Sequence, residues 1–170
     1  MSSAQHIVIM GVSGSGKTTL ALLLRDRLGW PYAEADDFHP KANVDKMTAG
    51  IPLTDADREP WLAAMRDWMT AEARAGRSTL LTCSALKAAY RAILSRAEGR
   101  VRFVHLTADP ELIGSRLATR TDHFMPAALL PSQFSALEPL IAGEDGVIVA
   151  VDEPPESVAD RTIEALGLDT

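Results

Sequence analysis

A single cysteine, Cys83, stands among 170 residues. It has no partner for an internal disulfide and no companion thiol for a zinc cluster, so a reducing compartment is the default expectation. Aromatic residues make up only 5% of the chain. Trp61, Trp68 and Phe134 accordingly read as helix-packing or pocket-wall residues rather than a stacking platform for nucleic acid. Positive charge is scarce as well, with 17 Lys and Arg against 23 Asp and Glu and a net charge of -6. Nucleic acid and anionic membrane are both polyanions that demand clustered cations, so neither is an expected partner. A small anion is different, because a few local Lys and Arg hold it whatever the total. No apolar run approaches the roughly eighteen residues of a membrane span, and Met1 to Gln5 carries no basic stretch leading into an apolar one. A cytoplasmic protein is the expectation. Internal repeats, heptads and low-complexity tracts are also missing.

What is present is 46% hydrophobic, enough at this length for one domain, residues 1–170, with a core of its own. His6 to Met10 is a short apolar run of the kind that forms a strand buried on both faces. Further strands are expected at Tyr32 to Glu34, Ser78 to Thr82, Val101 to Leu106 and Val147 to Val151. Helical composition begins at Lys17 and stops at Gly29, then recurs over Pro60 to Ala75, Lys87 to Ala97, Pro110 to Thr119 and Pro154 to Leu166. Alternating strands and helices predict an α/β fold with a mostly parallel sheet covered on both faces. Two stretches interrupt the alternation. Phe38 to Glu59 is polar and turn-rich, with room for a short helix over Ala42 to Ala49, and Arg120 to Leu140 is broken by Pro126, Pro131 and Pro139. Both suit segments that close over a ligand, and both suit ordinary connections.

Gly11-Val12-Ser13-Gly14-Ser15-Gly16-Lys17-Thr18 matches G-x-x-x-x-G-K-[ST] in full, between an expected strand and an expected helix. Its glycines let backbone N–H groups turn inward around phosphate oxygens, and the helix adds its positive end. Lys17 is placed to bridge β and γ phosphates, and the Thr18 hydroxyl to coordinate Mg²⁺ between them. A merely structural turn needs neither the lysine nor the hydroxyl. No N-K-x-D motif reads a guanine base, since Asn43-Val44-Asp45-Lys46 has the wrong order. The strand ending at Leu106 runs through Thr107-Ala108 before Asp109, unlike that of a motor-type ATPase. A small phosphotransfer enzyme is the leading class.

The acceptor belongs across the carboxyl ends of the strands. Asp36 and Asp37 follow the second strand there, and a carboxylate at that point aligns a hydroxyl or takes its proton; a turn or helix cap is the alternative. His39, in a polar loop before Pro40, reads as a surface residue or a ligand contact. Arg58 suits a carboxylate through its planar fork, or solubility. Lys87 and Arg91 share a helix face by spacing, which aims charge at a pocket or at solvent, and the same holds for Arg116 and Arg120. Ser84 suits a helix cap, and Cys83 a buried strand end.

Asp36-Asp37-Phe38-His39-Pro40, Asn43, Lys46-Met47, Gly50, Pro52-Leu53, Asp55, Asp57-Arg58 and Pro60-Trp61-Leu62 resemble the substrate region of the gluconate kinases. The likeness continues through Cys83-Ser84-Ala85-Leu86-Lys87, Tyr90-Arg91, Ser115-Arg116-Leu117, Arg120, His123-Phe124, Ser132-Gln133-Phe134 and Leu137-Glu138-Pro139, nearly the whole chain. The resemblance implies ATP-dependent phosphorylation of D-gluconate to 6-phospho-D-gluconate in a fold similar to shikimate and nucleoside monophosphate kinases. It also implies a five-stranded parallel sheet, a substrate segment over 38–75, a mobile lid over 116–138 and a homodimer. The implied ATP-binding set is Gly11, Val12, Ser13, Gly14, Ser15, Gly16, Lys17, Thr18 and Thr19 with Arg116 and Pro155. Lys17, Asp36 and Arg120 are the implied catalytic residues, and Thr18 the Mg²⁺ ligand. Asp36, His39, Arg58, Lys87, Arg120 and His123 are the implied gluconate contacts. The sequence departs from the family at Ala35 and Asp122, where relatives commonly have glycine. A related small-metabolite kinase such as shikimate kinase, or a noncatalytic nucleotide-binding module, are the alternatives.

Overall fold

The structure, a computed structural model, describes residues 4–11, 15–83, 87–107, 138, 140, 143–151 and 153–168. The helix expected over Pro110 to Thr119 and nearly all of the 116–138 lid lie outside these residues.

The apolar run His6 to Met10 sits at the middle of the sheet. It belongs to β1 (Gln5–Met10), which pairs in parallel with β3 (Thr79–Thr82) on one side and β4 (Arg100–Thr107) on the other. β2 (Tyr32–Glu34) joins β3 and β5 (Gly146–Ala150) joins β4, giving five parallel strands in the order β2-β3-β1-β4-β5. Each strand was expected from the sequence, with its ends displaced by no more than one residue. Side chains alternate across a strand, and β1 is buried on both faces. Val8 and Met10 enter a core with Trp61, Leu62, Met65 and Tyr90, whereas Ile7 and Ile9 enter a second core with Leu20, Leu24 and Val158. His6, the polar member of the run, is fully buried, and both ring nitrogens find partners 2.7 Å away, Thr79 Oγ1 and the Glu98 carbonyl.

Five helices are described: α1 (Lys17–Leu28), α2 (Lys41–Thr48), α3 (Asp55–Arg74), α4 (Ala88–Leu94) and α5 (Pro155–Leu166). The apolar faces of α3 and α4 line the first core, and those of α1 and α5 the second. α3 begins five residues before the expected Pro60 start. Thr54 and Asp57 form a capping box there, with the Asp57 N–H donating to Thr54 Oγ1 at 3.1 Å and the Thr54 N–H donating to Asp57 Oδ2 at 2.9 Å. Pro60 is tolerated because the carbonyl it leaves without an intrahelical donor belongs to Ala56, which is exposed to water. α4 is shorter than expected and turns at Ser95. Among the described residues, no helix is long and apolar enough to cross a membrane.

Candidate active site

Because the strands are parallel, their carboxyl ends all meet one edge, and the loops that follow β1, β2 and β3 bring Gly11, Asp36 and Cys83 there. Gly11 follows β1 with φ 150. A Cβ on it would stand 2.8 Å from Ser15 Oγ and 2.9 Å from the Leu106 carbonyl, so only glycine lets the loop fold this closely. Gly16, with φ 97, turns the chain into α1. Lys17 lies back across the loop, its Nζ donating to the Gly11 carbonyl at 3.0 Å. Ser15 Oγ is buried, with no hydrogen-bond partner among the described residues. A buried hydroxyl left unsatisfied inside a glycine loop, beside a lysine and a helix N-terminus, fits a phosphate oxygen. Thr19 is exposed, and Pro155 is exposed at the first turn of α5. Val12, Ser13 and Gly14 lie outside the described residues.

The Thr18 hydroxyl donates to Glu34 Oε1 at 2.6 Å. Glu34 also accepts from Thr82 Oγ1 at 3.0 Å and from the Tyr32 hydroxyl. Burial alone would raise the Glu34 pKa, but the three hydroxyl donors and the Lys17 charge outweigh it and leave the group below its ordinary value. An ionised carboxylate therefore sits beneath the phosphate loop, beside the Thr18 hydroxyl. The sequence reading treated Glu34 only as the end of a strand. Its signal is its position, an acidic residue ending the strand that leads to Asp36. Hard oxygen donors of this kind suit Mg²⁺, which binds through one or two protein oxygens plus substrate phosphates. No cluster of three or more His, Cys, Asp or Glu side chains able to cage a metal occurs among the described residues.

Asp36 lies in the short 3₁₀ turn Ala35–Phe38 that follows β2. Cys83, 1% exposed just past β3, relates it to the phosphate loop. Burial pushes the Cys83 thiol up strongly, the Lys17 ammonium lowers it and the Asp36 carboxylate raises it. Asp36 and the phosphate loop thus follow β2 and β1 at the same carboxyl edge of the sheet. Ala35 is itself buried, and no described non-glycine residue has positive φ, so the turn holds its methyl group without backbone strain. The Ala35 carbonyl accepts from Trp61 Nε1 at 2.7 Å, tying the turn to α3.

Arg58 and Lys87 come together around Tyr90. Arg58 Nη1 donates to the Tyr90 hydroxyl at 3.0 Å with its guanidinium 5.4 Å from the ring centroid; Lys87 Nζ lies 5.5 Å from the same centroid. The Tyr90 hydroxyl donates to Asp55, which also accepts from Lys87 at 3.2 Å. Two cations thus share one exposed carboxylate. The sequence reading gave Tyr90 and Asp55 no role of their own, because the contacts join α3 to α4 across thirty-five positions. His39 stacks on Trp61 at 4.3 Å and 9°, and burial with the nearby Arg58 charge lowers its pKa to about 4. It is neutral near pH 7. Arg91 does not join Lys87 as their spacing allowed. It is 1% exposed and ties α4 to the chain before β5, bonding Glu144 at 2.5 and 2.8 Å and the Glu138 carbonyl at 2.8 Å. Arg116, Arg120, Asp122, His123, Phe134 and Ser84 lie outside the described residues.

A family model described as an AAA domain matches residues 7–140, so the chain belongs to that broad family. Gluconokinase of Gluconobacter oxydans is 47% identical over 161 residues, spanning 94% of this chain and 89% of that protein. The chain belongs to the gluconokinase family. Among solved structures, the gluconokinase of Sinorhizobium meliloti 1021 superposes with a TM-score of 0.86 at 36% identity, covering 98% of this chain and 94% of that one. An unliganded sugar kinase of Janibacter sp. HTCC2649 does so with a TM-score of 0.92 at 48% identity, covering 96% and 95%. The wider fold is that of the P-loop kinases: shikimate kinase of Aquifex aeolicus gives a TM-score of 0.67 at 17% identity over 95% of this chain and 96% of that one, a likeness of fold alone.

Proposed function

We propose that this chain is a gluconokinase that transfers the γ-phosphoryl group of ATP to a hydroxyl of D-gluconate, releasing ADP and 6-phospho-D-gluconate. One observation carries the reading: the parallel sheet brings the phosphate loop after β1, with Lys17 crossing it, and the Asp36 turn after β2 to the same carboxyl edge, where a phosphate donor and a hydroxyl acceptor can be held side by side. Lys17 sets its charge against the β and γ phosphates, and the loop N–H groups and Ser15 hold their oxygens. Thr18, with Glu34 behind it, would hold Mg²⁺, which would supply charge neutralisation to the phosphates. Asp36 orients the acceptor hydroxyl and takes its proton as the bond to phosphorus forms. Arg58 and Lys87 match the gluconate carboxylate, and their shared Asp55 holds them in place until it arrives. His39 contacts the sugar acid beside them. By family resemblance, Arg120 and His123 close over the transferring group, Arg116 packs on adenine with Pro155 near it, and two copies form a homodimer.

The test is product analysis. ATP, Mg²⁺ and gluconate should yield ADP and 6-phosphogluconate in equal amounts, and a panel of sugar acids, shikimate and nucleosides should rank gluconate first. Turnover of shikimate instead would reassign the acceptor, and nucleotide binding without turnover of any acceptor would reduce the chain to a binding module.

A further inference from the structure

Asn43 has no part in the mechanism above, although its residue is only 4% exposed. A buried amide must place its donors on acceptors. Its Nδ2 lies 2.8 Å from the Asp57 carbonyl oxygen and 3.2 Å from His39 Nδ1. The two ends of a side-chain amide are alike in shape, but turning the oxygen toward Asp57 would set two acceptors against each other. The Asp57 carbonyl therefore fixes which end is nitrogen. An amide nitrogen only donates, so the His39 atom that it meets has to accept. In a neutral imidazole this leaves the proton on Nε2. The stack on Trp61 fixes the plane of the ring, and the Asn43 bond fixes which way round the ring lies in that plane.

The sequence spacing explains how this arises. Pro40 caps α2, so His39 stands just outside the helix and Asn43 one turn in, on the same side. The charged groups around the ring reinforce its neutrality. Arg58 of α3 opposes a second positive charge, and Asp57 turns only its carbonyl toward Asn43, its carboxylate being held by Lys46 of α2 at 2.8 Å. Among the described residues, Nε2 makes no hydrogen bond, which leaves its N–H available to a ligand.

We infer that Asn43 is a positioning residue that locks His39 in the Nε2–H tautomer, so that His39 offers the sugar acid a neutral hydrogen-bond donor of fixed direction beside Arg58. The inference rests on the placement of His39 in the gluconate site proposed above. The chemistry divides the acceptor between two kinds of group. Arg58 and Lys87 match a carboxylate, whereas a neutral N–H suits the lone pair of a hydroxyl and stays available across the range in which an ordinary histidine titrates.

The experiment combines ¹⁵N NMR of the histidine rings over about pH 5.5 to 8 with steady-state kinetics of the full chain. The wild-type His39 ring should show Nε2–H and no titration in that range. Asn43→Asp replaces the donor by a carboxylate acceptor, which should move the proton to Nδ1, raise the ring pKa and raise the gluconate KM roughly tenfold. The ATP KM should stay put, and the gluconate KM should become pH-dependent. His39→Gln, whose amide N–H reaches close to the Nε2 position, should recover much of the gluconate KM that His39→Ala loses. An Nδ1–H ring in the wild type, or its titration near the ordinary value, overturns the tautomer whatever the variants do. An unchanged gluconate KM in a folded Asn43→Asp protein whose proton has moved overturns the donor role. Neither result touches the gluconokinase reading, which the product assay decides separately.

Discussion

At the phosphate end, the candidate residues form one unbroken sequence run, Gly11 to Thr18, whose described glycines Gly11 and Gly16 adopt positive φ that other residues do not adopt cheaply. At the proposed acceptor end, His39, Arg58 and the Lys87–Tyr90 pair come from three segments; Arg58 and Lys87 meet at Tyr90, and His39 stacks on Trp61 of α3. On the proposed reading, the phosphate end presents charge and N–H groups that match charge developing during transfer. The proposed acceptor end presents a fork, an ammonium and a neutral ring, which would match features the sugar acid has before, during and after transfer. Damage at the first end should therefore appear in kcat, and damage at the second in the gluconate KM.

The largest effect should come from Lys17→Ala. The fold should survive, since Lys17 is half-buried and reaches back to the carbonyl of the loop it crosses rather than into either hydrophobic core. Losing one preorganised charge contact costs about 3 kcal/mol, so kcat should fall by 100-fold or more. Near-wild-type turnover in a folded variant would dissolve the contrast between the two ends.

Asp36→Asn probes the boundary between them. Turnover should drop by about 100-fold, the low end for general-base loss, because phosphoryl transfer through a loose transition state asks little of the base. ATP binding should persist, as titration with a fluorescent nucleotide will show. Full activity at every pH would leave Asp36 as a structural turn residue.

Arg58→Ala should sharpen the comparison from the other side. The gluconate KM should rise by roughly 10- to 100-fold, the worth of a charge-assisted pair, with the ATP KM and kcat little changed. Arg58→Lys should recover part of the loss, keeping charge without the fork. Kinetics with gluconate and glucose over one ATP series makes the measurement, and a selective rise in the ATP KM would move Arg58 to the nucleotide side.

The smallest effect concerns the frame of the acceptor end. The Lys46 ammonium, with the Thr54 backbone, lowers the Asp57 pKa from its ordinary 3.8 to about 2. A depressed carboxylate contributes stability above its unfolded pKa and loses it as pH falls through the folded one. Asp57→Asn should thus be less stable than wild type near neutrality, and the gap should close between about pH 4 and 2. Urea melts at several pH values measure it; a gap that does not narrow on acidification would remove Asp57 from the ion pair.

The sequence alone determined the sheet strands and the phosphate loop, because each is a local decision. Apolar β-branched runs select buried strands, and a glycine turn ending in Lys-Thr admits few other uses. Family resemblance added Asp36, His39, Arg58 and Lys87 as residues of one site. What lay beyond both was decided by partners distant in the chain. Glu34 emerged because β2 and α1 set it against Thr18. Arg91, four positions from Lys87, left the cluster because burial demanded a carboxylate, and Glu144 supplies it fifty-three positions away. Even the start of α3 depended on whether Thr54 and Asp57 found each other before Pro60 could define the boundary. Tertiary structure fixed these points because a side chain's spacing names the residues it can join locally, while its desolvation cost is settled only by the groups that the fold brings to it.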